Sequence, residues 1–369
     1  MKKVCLAAPH LYEERDEKIT LDRLLNGEQA GDLEIVKFEK ELSSCVGTRK
    51  ALVLSSGTVA IRLALKSLGV KSGDVVFWSS ITYPPSCQAI LSLGATPVFI
   101  DIDPLTWGMC PQSLRIAFQQ LKEKGRRPSA VVVVNLYGQS ADMDPILEIC
   151  HEYGVPVLEE AAESLGATYK GRMSGTLGAV GIYSFNKNKI ITTLFGGGAL
   201  ISNAPSYVDK ARDCLSENRN DLMSPIAASI GRRQLEVLAK RLERKKEIYE
   251  TYRRAFKEIG EIEMMNICDY GHSNYWLSVM TVKRGSVVTS KEIMEKLKYH
   301  QIESRLVWKP MHLQPDFSDF PFFTIQEGTS IAEDYANRGI CLPSDTQMTQ
   351  EEQERVIRII KQLFINSKE

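Results

Sequence analysis

The sequence of 369 residues lacks the features that would assign it to a charged, disulfide-rich or membrane-spanning class of protein. Lys plus Arg and Asp plus Glu number 46 each, so no net charge attracts nucleic acid or a membrane surface. The eight cysteines contain no C-x-x-C pair and therefore no zinc-ligand spacing. A disulfide framework is typical of shorter secreted chains, and no apolar run approaches the ~18 residues of a membrane span. These absences predict a cytoplasmic protein with reduced thiols, no metal site and no nucleic-acid or membrane partner.

The first two-thirds of the sequence has a regular alternation of strand-like and helix-like segments. The strand-like apolar runs cover residues 51–54, 75–78, 97–100, 130–134 and 155–158. The helix-like segments between them cover residues 59–68, 84–93 and 143–153. Continuous apolar strands separated by amphipathic helices predict a parallel sheet with both faces covered. Ligands in such sheets lie at the carboxyl ends of the strands.

A long helical stretch at residues 227–259 separates this region from the rest of the chain. Basic residues are concentrated at 240–246, but glutamates interrupt and flank them, so we expect a solvated helix face there and not a nucleic-acid site. We predict a large domain at residues 1–240 and a small domain at residues 241–369.

The final third of the sequence favours a smaller α+β domain. Residues 276–282 are strand-like, and residues 291–300 have the pattern of a helix. Thr349 and Glu352 have the spacing of a capping box, which predicts that the last helix begins there.

A carboxylate and a lysine follow two of the apolar segments. The sequence LEEAAE at residues 158–163 contains Glu160, and SFNKNK at residues 184–189 contains Ser184 and Lys189. A carboxylate can keep a pyridine nitrogen protonated, a serine can bind phosphate, and a lysine amine can form a Schiff base with an aldehyde. This combination is what a pyridoxal phosphate site requires, although a single Glu or Lys is more often a surface residue.

Other residues with a chemical interpretation also have a structural one. The sequence SSGT at residues 55–58 joins a strand to a helix, where N–H groups favour phosphate, but it also fits an ordinary N-cap. Tyr83 is suited to stacking on a cofactor ring or to a place in the core. Lys187 and Lys189 compete for the Schiff base, and the glycines at 196–198 fit either a ligand contact or a hairpin. The order and spacing of these features decide between the alternatives.

Taken together, these motifs resemble the DegT/DnrJ/StrS family of pyridoxal phosphate-dependent sugar aminotransferases. The resemblance covers about residues 38–364. Its most specific stretches are residues 55–58, 93–103, 136–144 and 184–193. It implies an α/β fold of the aspartate aminotransferase type (fold type I), with a mostly parallel sheet in the large domain and a smaller α+β C-terminal domain. It also implies pyridoxal 5'-phosphate as the cofactor.

Residues 188–193 and 308–315 resemble one branch of this family in particular. Its members aminate the 4-keto group of UDP-linked 4-keto-6-deoxy-N-acetylglucosamine, a step towards bacillosamine-type polysaccharide sugars. The resemblance therefore implies transfer of an amino group from L-glutamate to a keto group of a nucleotide-linked deoxysugar. It also implies that the active unit is a homodimer.

The resemblance further implies roles for individual residues. Lys189, five residues after Ser184, would carry the cofactor and then act as general base and acid, whereas Lys187 does not match this spacing. Glu160 stands where the family has the aspartate that pairs with the pyridine nitrogen. The other cofactor contacts would be Gly57, Thr58, Tyr83, Glu163, Ser184 and, from a partner subunit, Asn220. Arg305 and His312 would line the entrance for the sugar nucleotide.

Three departures from the family pattern leave alternatives open. Glu160 replaces an aspartate, Leu194 and Phe195 precede the glycines where the family has a shorter or more polar link, and residues 216–224 form a shortened segment. The first and third motivate a pyridoxal phosphate-binding homologue without transaminase activity, in a binding or regulatory role. A sugar dehydratase is a weaker alternative, because those relatives replace the lysine by histidine and this chain keeps Lys189.

Overall fold

The computed structural model describes residues 3–8, 31–194, 196–217 and 219–366. Its largest element is an eight-stranded sheet with the order β1-β9-β8-β5-β4-β2-β3-β14. The strands of this sheet are β1 (Lys50–Leu54), β2 (Val75–Ser79), β3 (Thr96–Ile100), β4 (Ala130–Val134), β5 (Val157–Glu160), β8 (Val180–Ser184), β9 (Gly198–Ser202) and β14 (Phe322–Phe323). Only β9 runs antiparallel to its neighbours β1 and β8, so the prediction of a mostly parallel sheet is confirmed.

Helices pack on both faces of this sheet because side chains alternate along each strand. In β2, Val76 and Trp78 join the hydrophobic cluster on one face, and Val75 and Phe77 join the cluster on the other. The described helices are α1 (Gly31–Val46), α2 (Gly57–Ser67), α3 (Pro84–Leu91), α4 (Pro111–Glu123), α5 (Met143–Glu152), α6 (Pro205–Asp213), α7 (Pro225–Glu236), α8 (Leu238–Phe256), α9 (Ser290–Tyr299), α10 (Ile331–Arg338) and α11 (Gln350–Asn366). Within the described ranges, no helix combines the length and apolar composition needed to span a membrane.

The prediction of one continuous helix at residues 227–259 is wrong, because α7 and α8 meet at a break. Val237 ends α7 with φ −102° and ψ 2°. The two helices bury different surfaces: Gly231 of α7 packs against the ring of Phe38, whereas Ile248 and Tyr252 of α8 join the core of the smaller domain. A straight helix cannot direct one apolar stripe to both places, so the chain turns between them.

The C-terminal part contains a smaller four-stranded sheet with the order β10-β12-β15-β13. Its strands are β10 (Ile262–Met264), β12 (Ser278–Val282), β13 (Arg305–Leu306) and β15 (Gly339–Leu342). A third, three-stranded sheet consists of β6 (Thr168–Tyr169), β7 (Arg172–Met173) and β11 (Gly271–His272). The strand predicted to begin at Trp276 begins two residues later, at Ser278. This correction leaves Trp276 in the connection before β12, where it contributes to the candidate site.

The last helix begins as its sequence predicts. The N–H of Glu352 donates to Thr349 Oγ1 at 3.2 Å, and the N–H of Thr349 donates to Glu352 Oε2 at 2.9 Å. These are the two reciprocal bonds of a capping box. The domain boundary between residues 240 and 241 falls inside α8 and stays a prediction.

Candidate active site

A cavity of about 740 Å³ lies at the carboxyl ends of β1, β5 and β8. Gly198, the first residue of β9, pairs with both Leu54 and Ser184. A Cβ atom on Gly198 would lie 2.5 Å from the carbonyl of Ser56. Glycine at this position therefore lets the loop after β1 approach β9, which brings residues 55–58 and Ser184 to the same wall of the cavity.

The loop after β1 has the geometry of a phosphate site. Ser56 caps α2, because its Oγ accepts the N–H of Val59 at 3.2 Å. The earlier N–H groups of Gly57 and Thr58 have no acceptor within the helix, and both residues line the cavity together with Ser184. A Cβ atom on Gly57 would lie 3.1 Å from the Cβ of Ser184. The N-cap and the phosphate interpretations of this loop are therefore compatible, since the capping residue is not one of the phosphate ligands.

Asp221, in the segment predicted to be shortened, contacts this loop. The N–H of Ser55 donates to Asp221 O at 2.8 Å, and Asp221 forms an ion pair with Arg62 of α2. Asn220 is exposed beside these contacts and is not part of the cavity wall of a single chain. Its contact with a partner subunit's cofactor stays a prediction.

Two buried glutamates lie at and just after the end of β5. Glu160 is its last residue, and its Oε1 accepts the N–H of Ala162 at 2.9 Å. Burial, together with the nearby charge of Glu163, raises the pKa of Glu160 to about 7, although Lys189 acts in the opposite direction. Burial also raises the pKa of Glu163, which accepts the N–H of Tyr137 at 3.0 Å. Carboxyl groups with raised pKa values in a cavity are typical of functional sites.

The two candidate lysines differ in what they contact. Lys189 Nζ lies 3.1 Å from Glu163 Oε1 and its side chain is 11% exposed. The amine also lies 4.3 Å from the centre of the Trp276 ring. Lys187 lines the same cavity but is exposed, and no ion pair to it is present among the described residues. Of these two lysines, Lys189 is the one that meets a buried carboxylate.

Of the residues predicted to contact the cofactor ring or the sugar nucleotide, Tyr83 and Arg305 line the cavity and His312 does not. Tyr83 lies on the cavity wall with its ring 5.9 Å from that of Trp308, and Arg305 lines the same cavity. His312 is not on this wall. Its ring stacks on Phe322 with centroids 3.6 Å apart. The geometry of one chain therefore does not support His312 at the entrance, and that role stays a prediction.

Comparison with known proteins identifies this arrangement. The profile of the DegT/DnrJ/EryC1/StrS aminotransferase family matches residues 13–361. The chain belongs to this family. It is therefore a sugar aminotransferase that depends on pyridoxal phosphate, and the predicted family, cofactor and enzyme class are confirmed.

Individual relatives of this aminotransferase cover nearly the whole chain. EpsN of Bacillus subtilis, whose name assigns it to the pyridoxal phosphate-dependent aminotransferases, is 42% identical over 376 residues, covering 98% of this chain and 96% of that protein. The GDP-perosamine synthase of Caulobacter vibrioides is 32% identical over 345 residues, covering 90% of each chain. The crystal structure of the aminotransferase TlmJ from Streptoalloteichus hindustanus superimposes with a TM-score of 0.86 at 25% identity, covering 99% of this chain and 100% of that one. These similarities confirm the predicted fold.

The side chains of the cavity fit the parts of pyridoxal phosphate. The helix N-terminus at Gly57 and Thr58, with the hydroxyl of Ser184, suits a phosphate dianion. The carboxyl of Glu160 is fully buried and lies near a like charge, so a cationic ring nitrogen would stabilise its ionised form. The amine of Lys189 suits the aldehyde.

Two buried cations that support the site from behind its wall were missed by the sequence interpretation. Arg241 and Lys245 were predicted to lie on a solvated helix face, and this is wrong for both. Arg241 donates to Ile190 O at 2.9 Å, and Lys245 Nζ donates to Trp276 O at 2.8 Å. Burial lowers the pKa of Lys245 to about 7. The two cations are spaced four residues apart on the apolar stripe of α8, and this interruption of the stripe was the signal available in the sequence.

Proposed function

We propose that this sugar aminotransferase transfers the amino group of L-glutamate to a keto group of a nucleotide-linked deoxysugar. The observation that carries the proposal is the buried pair of Lys189 and Glu163, next to Glu160 and to a phosphate cradle at the carboxyl ends of the strands. The name of the GDP-perosamine synthase relative supports a nucleotide-linked sugar as the substrate.

In this proposal different residues of the chain contact different parts of the cofactor. Gly57, Thr58 and Ser184 would bind its phosphate, and Tyr83 would pack against its ring. Glu160 would accept a hydrogen bond from the protonated ring nitrogen. When bound, the cofactor supplies an electron sink for negative charge at the carbon that loses a proton. The carboxylate of Glu160 therefore affects the rate as well as the binding, because it keeps the ring electron-poor.

Lys189 also moves the proton in this proposal. Its Nζ would take the proton from the α-carbon of the amino donor as a general base and would then release that proton as a general acid. Glu163, 3.1 Å away, stabilises the ammonium between these events. Because the Lys189 side chain is 11% exposed, little water competes for the proton.

The open side of the cavity suits a sugar nucleotide. Arg305 and Lys187 line it, while Glu303, which lines it too, is paired with Lys3 at 2.5 Å. Two cations on the wall of one cavity favour a diphosphate. We therefore propose that Arg305 binds the nucleotide phosphates, with Lys187 as a second cation on the same wall.

The half-reaction with the amino donor tests the proposal directly. The purified protein with pyridoxal phosphate should show a visible absorption band that disappears on addition of L-glutamate. The band should be absent from the Lys189→Ala variant. A lysine-dependent band that glutamate leaves unchanged would contradict the proposed donor chemistry and favour a cofactor-binding homologue without transaminase activity.

The ketosugar is tested by product mass. The glutamate-treated enzyme should convert UDP-4-keto-6-deoxy-N-acetylglucosamine or a GDP-linked 4-keto-6-deoxysugar to the amino product, and the faster substrate identifies the nucleotide. A product that has lost water without gaining nitrogen would instead indicate a dehydratase.

We further propose that the active unit is a homodimer in which Asn220 reaches the partner's cofactor. The helices α1 and α7 carry exposed apolar side chains, among them Leu33, Val36 and Ile226, which supports burial against a second copy. Equal amounts of Lys189→Ala and Asn220→Ala chains, unfolded and refolded together, should regain activity, because one site of each mixed dimer then has both residues. Failure of the mixture to exceed the separate variants would contradict a shared site.

A further inference from the structure

Trp276 contacts the lysine loop in two independent ways. Lys189 Nζ lies 4.3 Å from the centre of its ring. The ring N–H donates to Asn188 O at 2.7 Å, across 88 residues of sequence. The side chain is buried, so both contacts are made away from bulk water. One indole therefore touches the amine of Lys189 and holds the carbonyl of the preceding residue.

Two other side chains form hydrogen bonds with the backbone of Trp276. Lys245 of α8 donates to Trp276 O at 2.8 Å. The Oδ1 of Asn274 accepts the N–H of Trp276 at 2.8 Å, and its Nδ2 donates to Glu163 O at 2.8 Å. The same short segment thus fixes the indole and the backbone of the glutamate that pairs with Lys189. These backbone contacts fix the position from which the indole reaches Lys189 and Asn188.

We propose that Trp276 is a positioning residue for Lys189, with its ring face holding the amine beside Glu163 and its N–H holding the loop that carries the lysine. The inference rests on the proposed role of Lys189. An aromatic face attracts a cation most strongly when water is excluded. A lysine side chain has many rotamers, so a fixed surface beneath the amine restricts it to the arrangement in which it meets the carboxylate.

Other charged groups also act on the nitrogen of Lys189, and the test has to separate them from the indole. The charged side chains that line the same cavity are Glu160, Glu163, Lys187, Glu303 and Arg305. Lys245 contacts the backbone carbonyl of Trp276, and the charge of Asp345 acts on Lys245. Because all of these remain in a Trp276 variant, a change caused by the substitution is assigned to the indole.

The experiment is a pH titration of the visible absorption of the holoenzyme, which reports protonation of the nitrogen that Lys189 supplies. Trp276→Leu removes both contacts, and the midpoint should fall by about 0.5–1 pH unit because the aromatic face no longer stabilises the positive charge. Trp276→Phe keeps an aromatic face but loses the N–H. Its midpoint should stay near that of the wild type, while the cofactor dissociates about 3- to 10-fold faster because the Asn188 carbonyl has lost its donor.

Tyr275→Leu is the matched control. Tyr275 is the adjacent aromatic residue, and its ring packs on Tyr249 with centroids 5.0 Å apart, away from the lysine. The control should keep the wild-type midpoint and dissociation rate. A wild-type midpoint in Trp276→Leu, or an equal shift in Tyr275→Leu, would overturn the positioning role. A visible band that persists in Lys189→Ala would instead refute the proposed function, and this inference with it.

Discussion

Replacing Glu160 with glutamine should make the cofactor-free protein more stable and the holoenzyme less active. Glu160 is fully buried, and its Oε1 accepts a single backbone N–H, that of Ala162. No hydrogen bond to its Oε2 is present among the described residues. Glutamine has nearly the same shape, can keep the bond at Oε1, and carries no charge. The substitution therefore removes a buried charge beside Glu163 without changing the volume of the side chain.

The magnitude follows from the raised pKa of Glu160. Its ordinary value is 4.5, and burial raises it to about 7 in the folded chain. A carboxyl with a higher pKa when folded binds more protons in the folded state, so stability decreases as the pH rises from 4.5 to about 7. At about 1.4 kcal/mol per pH unit, the full cost above pH 7 is about 3 kcal/mol. Glu160→Gln should recover up to that amount at pH 8 and almost nothing near pH 4.5.

The assay is unfolding of the cofactor-free protein at several pH values. The matched control is Glu159→Gln, one residue earlier on β5. Both oxygens of Glu159 accept hydrogen bonds, from Leu177 and Gly178 on one side and from Gly175 on the other. In Glu159→Gln the NH2 group of the amide faces an N–H donor and cannot accept its hydrogen bond. The substitution should therefore lower the free energy of unfolding by about 1–3 kcal/mol.

The result that would refute this reasoning is a Glu160→Gln protein no more stable than the wild type at pH 8. A gain of equal size at pH 8 and pH 5 would also refute it, since the gain must vanish where Glu160 is protonated. In the holoenzyme, loss of the carboxylate should slow the glutamate half-reaction by about 100-fold or more, because an ionised partner for the ring nitrogen is lost.

Three further changes have defined outcomes. Gly57→Ala places a Cβ atom 3.1 Å from Ser184 Cβ and should weaken pyridoxal phosphate binding about tenfold in equilibrium dialysis; unchanged affinity would contradict the phosphate cradle. Lys245→Met removes a lysine whose pKa is lowered to about 7 in the folded chain. Between pH 7 and 9 the unfolded wild type binds more protons than the folded one, so the free energy of unfolding of the wild type should rise by about 2 kcal/mol relative to that of the variant, measured by denaturant unfolding. A difference in unfolding free energy that stays constant over this pH range would contradict the lowered pKa. Arg305→Met should raise the KM of the ketosugar about tenfold while leaving the glutamate half-reaction unchanged, and equal damage to both would contradict its proposed role.

The large sheet could be predicted because most residues of its long strands are buried. β4 reads AVVVV and every residue of it is buried, so composition alone indicates a central strand. The direction of β9 could not be predicted in this way, because a buried apolar strand has the same composition whether its pairing is parallel or antiparallel. The break at Val237 was also invisible, since both halves of residues 225–256 have good helical sequences and only their different packing partners separate them.

The site shows the same division between local and distant information. Ser184 and Lys189 are five residues apart, and their spacing is readable in the sequence. Trp276 contributes through contacts with Asn188 and Lys245, which are 88 and 31 residues away. Such contacts form between residues that are distant in the sequence, and no local pattern predicts them. The strand-like pattern of residues 276–282 instead indicated that Trp276 belongs to a strand.

The adjacent residues Glu159 and Glu160 show why burial alone does not identify a functional carboxylate. Both are fully buried on β5, and successive side chains of a strand point to opposite faces. Glu159 receives three backbone N–H groups and the side-chain amide of Asn135, so the chain satisfies its charge internally. Glu160 receives one N–H and opens on the cavity. An ionised carboxylate with so few donors is stabilised when a cation pairs with it, and we propose the protonated ring nitrogen of the cofactor as that partner.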